Sequence, residues 1–169
     1  MDEAEIAECY REHSAALTHF AASQVGPSDA DDVLSSALLS VIQSCRQRSD
    51  GDSAIEDLRA YLYRAVANAS AKHWRTLDRR RVRDQAFHLA SKRTVSTQSG
   101  GAGPPEQPSE VGPMIEAMAE LTVQQRAAVH LTYWEDLTPA MIADRLDISD
   151  GTVRSHLARA RAKLREAIQ

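Results

Sequence analysis

The chain has 169 residues, with 20 Lys and Arg against 24 Asp and Glu and a formal net charge of −4. Aromatic residues make up only 5% and the apolar ones are rich in Ala and Leu, which suits packed helices over sheets in one ordinary domain or two small ones. No stretch approaches the ~20 apolar residues of a membrane span and no signal peptide opens the chain, so a cytoplasmic protein without membrane insertion is expected.

The net charge conceals a strong pattern. Residues 1–57 hold twelve acidic against three basic residues, and residues 58–93 hold ten basic against two acidic. Residues 94–150 are acidic again, with nine carboxylates against two basic residues, and residues 151–169 hold five basic against one acidic. Two basic blocks in acidic surroundings predict two nucleic-acid contacts, acidic faces for protein partners, and little indiscriminate attraction to phosphate.

In chain order, Ile6, Tyr10, His13, Leu17 and Phe20 form one stripe along a first helix. Cys9 and His13 lie one turn apart, but no Cys-x-x-Cys or second His pair accompanies them, so plain helix packing is the better reading and no metal or cofactor is expected. The two cysteines, Cys9 and Cys45, give no disulfide framework. Ser28 or Asp29 starts a second helix with Val33, Leu34, Ala37, Leu38, Val41 and Ile42 on its apolar side and Asp29, Asp32, Ser36 and Ser40 opposite. A polar loop from Cys45 to Ser53 follows, with Gly51 at its turn. The next helix, from about Ile55 past Arg75, packs through Leu58, Tyr61, Leu62, Ala65, Val66 and Ala69. Its other side aligns Arg64, Asn68, Lys72, Arg75 and Arg79, a cationic face with an amide in it. A solvated basic face is the plain alternative; Arg80, Arg81 and Arg83, which continue the row, and a second DNA motif downstream weigh against it.

From Lys92 to Pro113 the sequence crowds Gly, Pro, Ser and Thr and reads as a flexible linker. The predicted organisation is therefore all-α: a helical domain over 1–86, a linker over 87–113 and a second helical domain over 114–169. Such a tether would leave the two basic blocks unoriented relative to one another. Within the second domain, Leu137 to Leu164 reads as a helix-turn-helix. Thr138 can cap the first helix, Pro139 suits its first position, and Ile142, Ala143 and Leu146 share a side. Ile148 plugs the turn, and a helix from Asp150 or Gly151 carries Val153, Leu157, Ala160 and Leu164 inward. Thr152, Arg154, Ser155, His156 and Arg159 remain as donors for base edges and phosphates in a major groove. Arg154 and Ser155 lie in the first two turns, where base edges are met; Arg161 and Arg165 lie where only phosphate or solvent is within reach.

The wording of the second motif resembles a family. Gly151, Thr152, Val153, Ser155, Ala158, Arg159, Ala160 and Arg161 are similar to the end of the last DNA-binding domain of bacterial sigma factors of the extracytoplasmic-function type. Leu121, Gln125, Arg126 and Leu137 resemble that family's approach helix, and Ala30, Asp31 and Asp32 the opening of its polymerase-binding helix. Leu62, Tyr63, Arg64, Asn68 and Arg75 fall on the pattern of its promoter-melting helix. The sequence departs from the family at Met141 (usually glutamate), Asp147 (glycine), His156 (arginine), Ser35 and Ser36 (glutamine and glutamate), Ala67 (arginine) and Lys72 (aspartate).

The resemblance implies a dissociable specificity subunit of RNA polymerase, monomeric when free. Its partners would be core polymerase at the clamp and flap, promoter DNA and, as is common in the family, an anti-sigma factor. Asp31, Asp32, Ser35 and Ser36 would face the polymerase. Arg64, Asn68, Lys72, Arg75 and Arg79 would hold the melted minus-ten strand, and Thr152, Arg154, Ser155, His156 and Arg159 would read the minus-thirty-five duplex. The linker would thread the RNA exit path, and the polymerase-bound form would associate with the nucleoid. A stand-alone helix-turn-helix regulator is the alternative, although no heptad or dimerisation helix supports it. A sigma-like protein that binds partners without supporting initiation is left open by Ser35 and Ser36. An enzyme is disfavoured: the chain has no phosphate-cradling Gly loop, nucleophile elbow or metal-ligand set.

Overall fold

The computed structural model describes residues 3–47, 57–91 and 117–167, with backbone alone over 81–91. The expected linker from Lys92 to Pro113, the loop residues 48–53, Ile55 and the side chains of Arg81 and Arg83 lie outside the described residues. The architecture is all-α, and no strand occurs among the described residues. The helices are α1 (Glu3–Val25), α2 (Ala30–Gln47), α3 (Leu58–Ser91), α4 (Val123–Tyr133), α5 (Pro139–Leu146) and α6 (Asp150–Glu166), with a further helical turn over 117–120. None of the described helices is long and apolar enough to cross a membrane.

Local chemistry sets the boundaries. Gly26, at φ 90°, takes the left-handed conformation that ends α1, and its amide donates to the Ala22 carbonyl at 2.9 Å. Asp57 caps α3, accepting the Ala60 amide on Oδ1 at 2.8 Å, and the helix is described from Leu58. Cys45, Arg46 and Gln47, read as loop, complete the last turn of α2. Residues 87–91, read as the start of the linker, are the end of α3. No Gly or Pro interrupts the chain from Leu58 to Ser91, and nothing else in that stretch stops a helix.

Helices α1, α2 and α3 pack into one bundle around Leu17, Phe20, Val33, Leu34, Val41, Leu62 and Val66. Helices α4, α5 and α6 form a second around Leu131, Ile142, Leu146, Val153, Leu157 and Ala160. These two bundles do not hang apart on a tether. Helix α4 packs on α1 and α3, α5 packs on α3, and the buried apolar residues run on as one cluster. The Phe20 ring, fully buried, lies 5.1 Å from that of Tyr63 and 5.3 Å edge-on from that of His130, joining α1, α3 and α4. The expectation of two unoriented readers therefore fails. Its reason is a second buried face on α3, where Tyr63 is 0% and Ala67 4% exposed beside the expected Leu62 and Val66 face.

Phe20 belongs to both bundles at once. Replacing it by Ala should lower the unfolding free energy by ~3–5 kcal/mol, because a large cavity opens where three helices meet. Urea unfolding followed by far-UV circular dichroism measures the loss. A cost near zero would show that the seam between the bundles carries no stability.

Candidate nucleic-acid interface

The basic face of α3 follows from helical periodicity and from what the two bundles leave uncovered. Asn68, Lys72, Arg75 and Arg79 are exposed. The Nε of Arg75 donates to the Ala71 carbonyl at 3.1 Å and that of Arg79 to the Arg75 carbonyl at 3.3 Å, which lays both side chains along the helix. Arg64 differs. It is half-buried, its guanidinium lies over the Tyr61 ring at 5.7 Å, and its Nη1 is 3.3 Å from Oδ2 of Asp147 in the turn after α5. The structure thus keeps four of the five expected minus-ten residues on an open face and engages the fifth with the other bundle.

Between α2 and α3 runs an open groove of about 1040 Å³. Asp32 and Ser36 line one wall, Arg64, Asn68, Lys72 and Arg75 the other, and Asp147 stands at its rim. All four residues expected to face a polymerase, Asp31, Asp32, Ser35 and Ser36, are exposed, and the nearby Leu39 is 60% exposed. Asp31 and Ser35 do not line the groove, so the expected polymerase face overlaps the groove only through Asp32 and Ser36.

The second basic element is built by caps. Thr138 accepts the Met141 amide at 3.3 Å and Pro139 occupies the first turn of α5. Asp147, at φ 57° and ψ 49°, ends α5 in the left-handed region, and the amides of Asp147 and Ile148 both donate to the Ala143 carbonyl. That conformation favours glycine, the residue usual here in the family that the motif resembles. Ile148 packs half-buried against the core, and Ser149 accepts the Thr152 amide at 3.1 Å to start α6 at Asp150. On α6, Arg154 and Arg159 are exposed, whereas Thr152, Ser155 and His156 are half-buried. Arg154 pairs with Asp150 at 2.7 Å, and the Thr152 hydroxyl shares a 2.8 Å hydrogen bond with that of Ser149. Burial, helped by the nearby Arg159, lowers the His156 pKa, so its imidazole is neutral at physiological pH. Arg161 donates to the Tyr133 hydroxyl at 3.1 Å, and Arg165 is exposed.

Sequence reasoning missed the polar contacts across the seam. Glu135, only 12% exposed, accepts the Tyr63 hydroxyl at 2.7 Å and Nη2 of Arg59 at 3.1 Å. Burial and then the Glu135 hydrogen bond push the Tyr63 pKa up to about 12. Arg145 places its guanidinium over the Tyr63 ring at 5.0 Å, and Arg126, 7% exposed, lies over the Trp74 ring at 5.2 Å. No local signal marks these pairings. A visible one was passed over at α4, where Thr122 and Gln125 form a reciprocal capping box. Cys9 and Cys45 are free thiols, Cys9 with its pKa raised mainly by burial. No group of three His, Cys, Asp or Glu able to hold a metal occurs among the described residues.

Comparison with known proteins now bears on this arrangement. The family model described as sigma-70, region 4, matches residues 112–164, the stretch that contains α4, α5 and α6. Over 143 residues the chain is 31% identical to the RNA polymerase sigma-E factor of Streptomyces antibioticus, covering 85% of this chain and 72% of that protein. It is also 31% identical to the ECF RNA polymerase sigma factor SigL of Mycobacterium tuberculosis, covering 95% of this chain and 86% of that protein. The chain belongs to the extracytoplasmic-function sigma factors. This sigma factor is a transcription initiation factor of RNA polymerase, and the stand-alone regulator is not favoured. Two solved structures share its fold. The sigma factor RpoE of Bartonella quintana, in complex with the anti-sigma factor NepR, superposes at TM-score 0.54 with 20% identity, covering 97% of this chain and 96% of that one. CnrH, in complex with the cytosolic domain of CnrY, superposes at TM-score 0.58 with 21% identity, covering 98% of this chain and 88% of that one.

His130 gives the sigma factor a pH signature. Its imidazole, 4% exposed, stacks on Trp134 at 5.5 Å and meets Phe20 edge-on. Burial lowers its pKa below 6.5; the nearby Glu135 opposes the shift and His19 adds to it. The folded form binds the proton more weakly than the unfolded chain. Its stability is therefore full above the unfolded value of ~6.5 and is lost as pH falls through the lower folded value. The melting temperature should drop between about pH 7.5 and about pH 5.5. His130→Phe should reduce that slope, leaving the part due to His156. Thermal melts across this range check it; an unchanged slope in the variant would remove His130 from the account.

Proposed function

We propose that this sigma factor binds core RNA polymerase through the exposed face of α2 and positions it by two separate DNA contacts. Asp31, Asp32, Ser35 and Ser36 meet the polymerase clamp. Asn68, Lys72, Arg75 and Arg79, joined by Arg64, track the single strand of the minus-ten element, where cations follow the backbone and the Asn68 amide meets an unstacked base. Helix α6 enters the minus-thirty-five major groove by its N-terminal turns, with Thr152, Arg154, Ser155, His156 and Arg159 at the contact. Residues 1–91 and 114–169 act as the two reading domains, 92–113 spans between them on the polymerase, and an anti-sigma protein is the fitting regulator. The observation that carries this reading is the exposed row from Asn68 to Arg79, of which Asn68, Lys72 and Arg75 line one wall of a groove whose other wall bears Asp32 and Ser36.

The deciding experiment is promoter binding and transcription with and without core polymerase at stated salt. Selective binding should require core, because acidic surroundings oppose both basic blocks. Equal affinity without core would overturn the proposal. Asn68→Ala should impair strand melting, read by permanganate reactivity of unpaired thymines, far more than it impairs binding of closed duplex. Loss of duplex affinity with melting intact would move α3 to a double-stranded role.

The two ends of α6 should separate. Arg154→Ala should cost ~1–3 kcal/mol at the preferred upstream element and relax selectivity there. Arg165→Ala should weaken all sequences about equally and flatten the salt dependence. Binding over a randomised upstream element measures both. No change for Arg154→Ala would make that side chain, already held by Asp150, a structural partner of its own helix turn.

A further inference from the structure

At the leading end of α6 a pair of side chains is already joined. Asp150, the first residue of the helix, holds Nη2 of Arg154 on Oδ2 at 2.7 Å, with the acid one turn ahead of the base, the order a helix favours. The carboxylate itself is fixed. Its Oδ1 is buried without a hydrogen-bond partner, and it stands in the positive field of the helix N-terminus that Ser149 caps. One oxygen is turned inward and the other is taken by Arg154. The arginine is the outer member, its side chain 71% exposed against 38% for the aspartate. An exposed pair of this kind adds little to stability, so its consequence lies in where it puts the guanidinium. Long side chains on a helix lean toward the N-terminus, and this pair draws Arg154 to the end of α6 that enters a groove first.

The neighbouring side chains have less to offer a base edge. The Thr152 hydroxyl shares its 2.8 Å hydrogen bond with that of Ser149, and His156 keeps Nδ1 buried. Arg159 is exposed but lies beyond the next turn. Arg154 is thus the strong donor at the tip, and what fixes its direction fixes what the tip can read.

We propose that Asp150 is a positioning residue that determines specificity: it holds the Arg154 guanidinium so that its remaining donors meet the O6 and N7 acceptors of one guanine in the upstream element, and it withholds the same side chain from phosphate. This rests on the reading of α6 as the helix that enters the minus-thirty-five groove. A guanidinium carries N–H donors along more than one edge of a planar fork, so a contact to Oδ2 leaves donors for a bidentate contact with guanine. An arginine without such a partner reaches any nearby phosphate, a contact blind to sequence. Holding it beforehand also removes part of the entropy cost of ordering it on DNA. The carboxylate acts in a second way. It balances the charge of Arg154, so the leading turn draws little duplex by charge alone and attraction for phosphate is left to the basic residues of the later turns. Asp150 thereby lowers affinity for every sequence and widens the difference between sequences.

The test uses the full chain assembled with core polymerase on promoters whose upstream element is randomised. Affinities for the best selected element and for a scrambled one are then measured at fixed salt. The variants are Asp150→Asn, which keeps the shape and removes the charge; Asp150→Glu, which keeps the charge; Arg154→Ala; and Asp150→Asn combined with Arg154→Ala. Asp150→Asn should reduce discrimination about tenfold at a single base pair, the one that Arg154→Ala relaxes. Its affinity for the scrambled element should rise about threefold, a gain that an unfolded variant does not give. Asp150→Glu should restore most of the discrimination. In the Arg154→Ala background the Asn substitution should leave base preference unaltered, because the residue it acts through is gone.

Equal losses of affinity on the selected and scrambled elements would overturn the proposal, since Asp150 would then serve only to start the helix. So would a change of preference at a base pair that Arg154→Ala leaves untouched. If Arg154→Ala relaxes selection and Asp150→Asn does not, the positioning role falls and the reading of α6 stands. If neither variant alters selection, α6 does not read this element through its tip, and the proposal falls with that reading.

Discussion

One helix serves two cores, and most of the structure follows from that constraint. Helix α3 gives Leu62 and Val66 to the bundle with α1 and α2 and turns Tyr63 and Ala67 toward the seam. Two buried arcs on one helix leave a narrow strip for water. Asn68 and Lys72 fall on that strip; Arg75 and Arg79 continue it beyond Ser70, the last buried residue among the described side chains of the helix, where exposure is broader. Burial on both sides confines the first half of the row, and helical spacing carries the second half along the same line. A substitution that thickened either buried arc would crowd the exposed strip.

The seam mixes two kinds of contact with opposite tendencies. Aromatic packing among Phe20, Tyr63 and His130 favours closure and is indifferent to salt. Guanidinium groups over Tyr63 and Trp74 bring desolvated charge into the same space. An interface inside one chain that combines apolar anchors with incompletely partnered cations resembles a transient protein–protein contact more than a domain interior.

Local structure was legible in the sequence wherever a few neighbouring residues decide it. Thr138, Pro139 and the Asp150 start of α6 were readable because a cap is made within one turn. Gly151-Thr152-Val153 with the Ala-Arg run carried the family directly. The start of α3 at Leu58 was not readable to the residue, since the cap at Asp57 sits at the end of a mostly polar run. The seam was illegible for a different reason. Tyr63 and Glu135 are 72 residues apart, and no periodicity links a tyrosine on one helix to a carboxylate in a distant turn. Arg64 fitted the cationic stripe by spacing, yet its environment is set by Asp147, which spacing does not see. The departure at Asp147 was visible as a replaced glycine; that it also carries a charge to Arg64 emerged only in three dimensions.

The chain has two tryptophans, and both lie at the junction of the bundles. Trp74, half-buried on α3, donates its indole N–H to the Gln24 carbonyl at 3.1 Å and lies beneath Arg126. Trp134, 66% exposed, stacks on His130. The tryptophan emission of the protein therefore originates at the junction of the two bundles. One indole looks into the junction from α3 and the other caps it from the end of α4. Each has a cationic or ionisable neighbour from the second bundle, Arg126 over Trp74 and His130 against Trp134. An unlabelled molecule consequently carries two native chromophores with different duties, one reporting docking and the other the protonation of an imidazole.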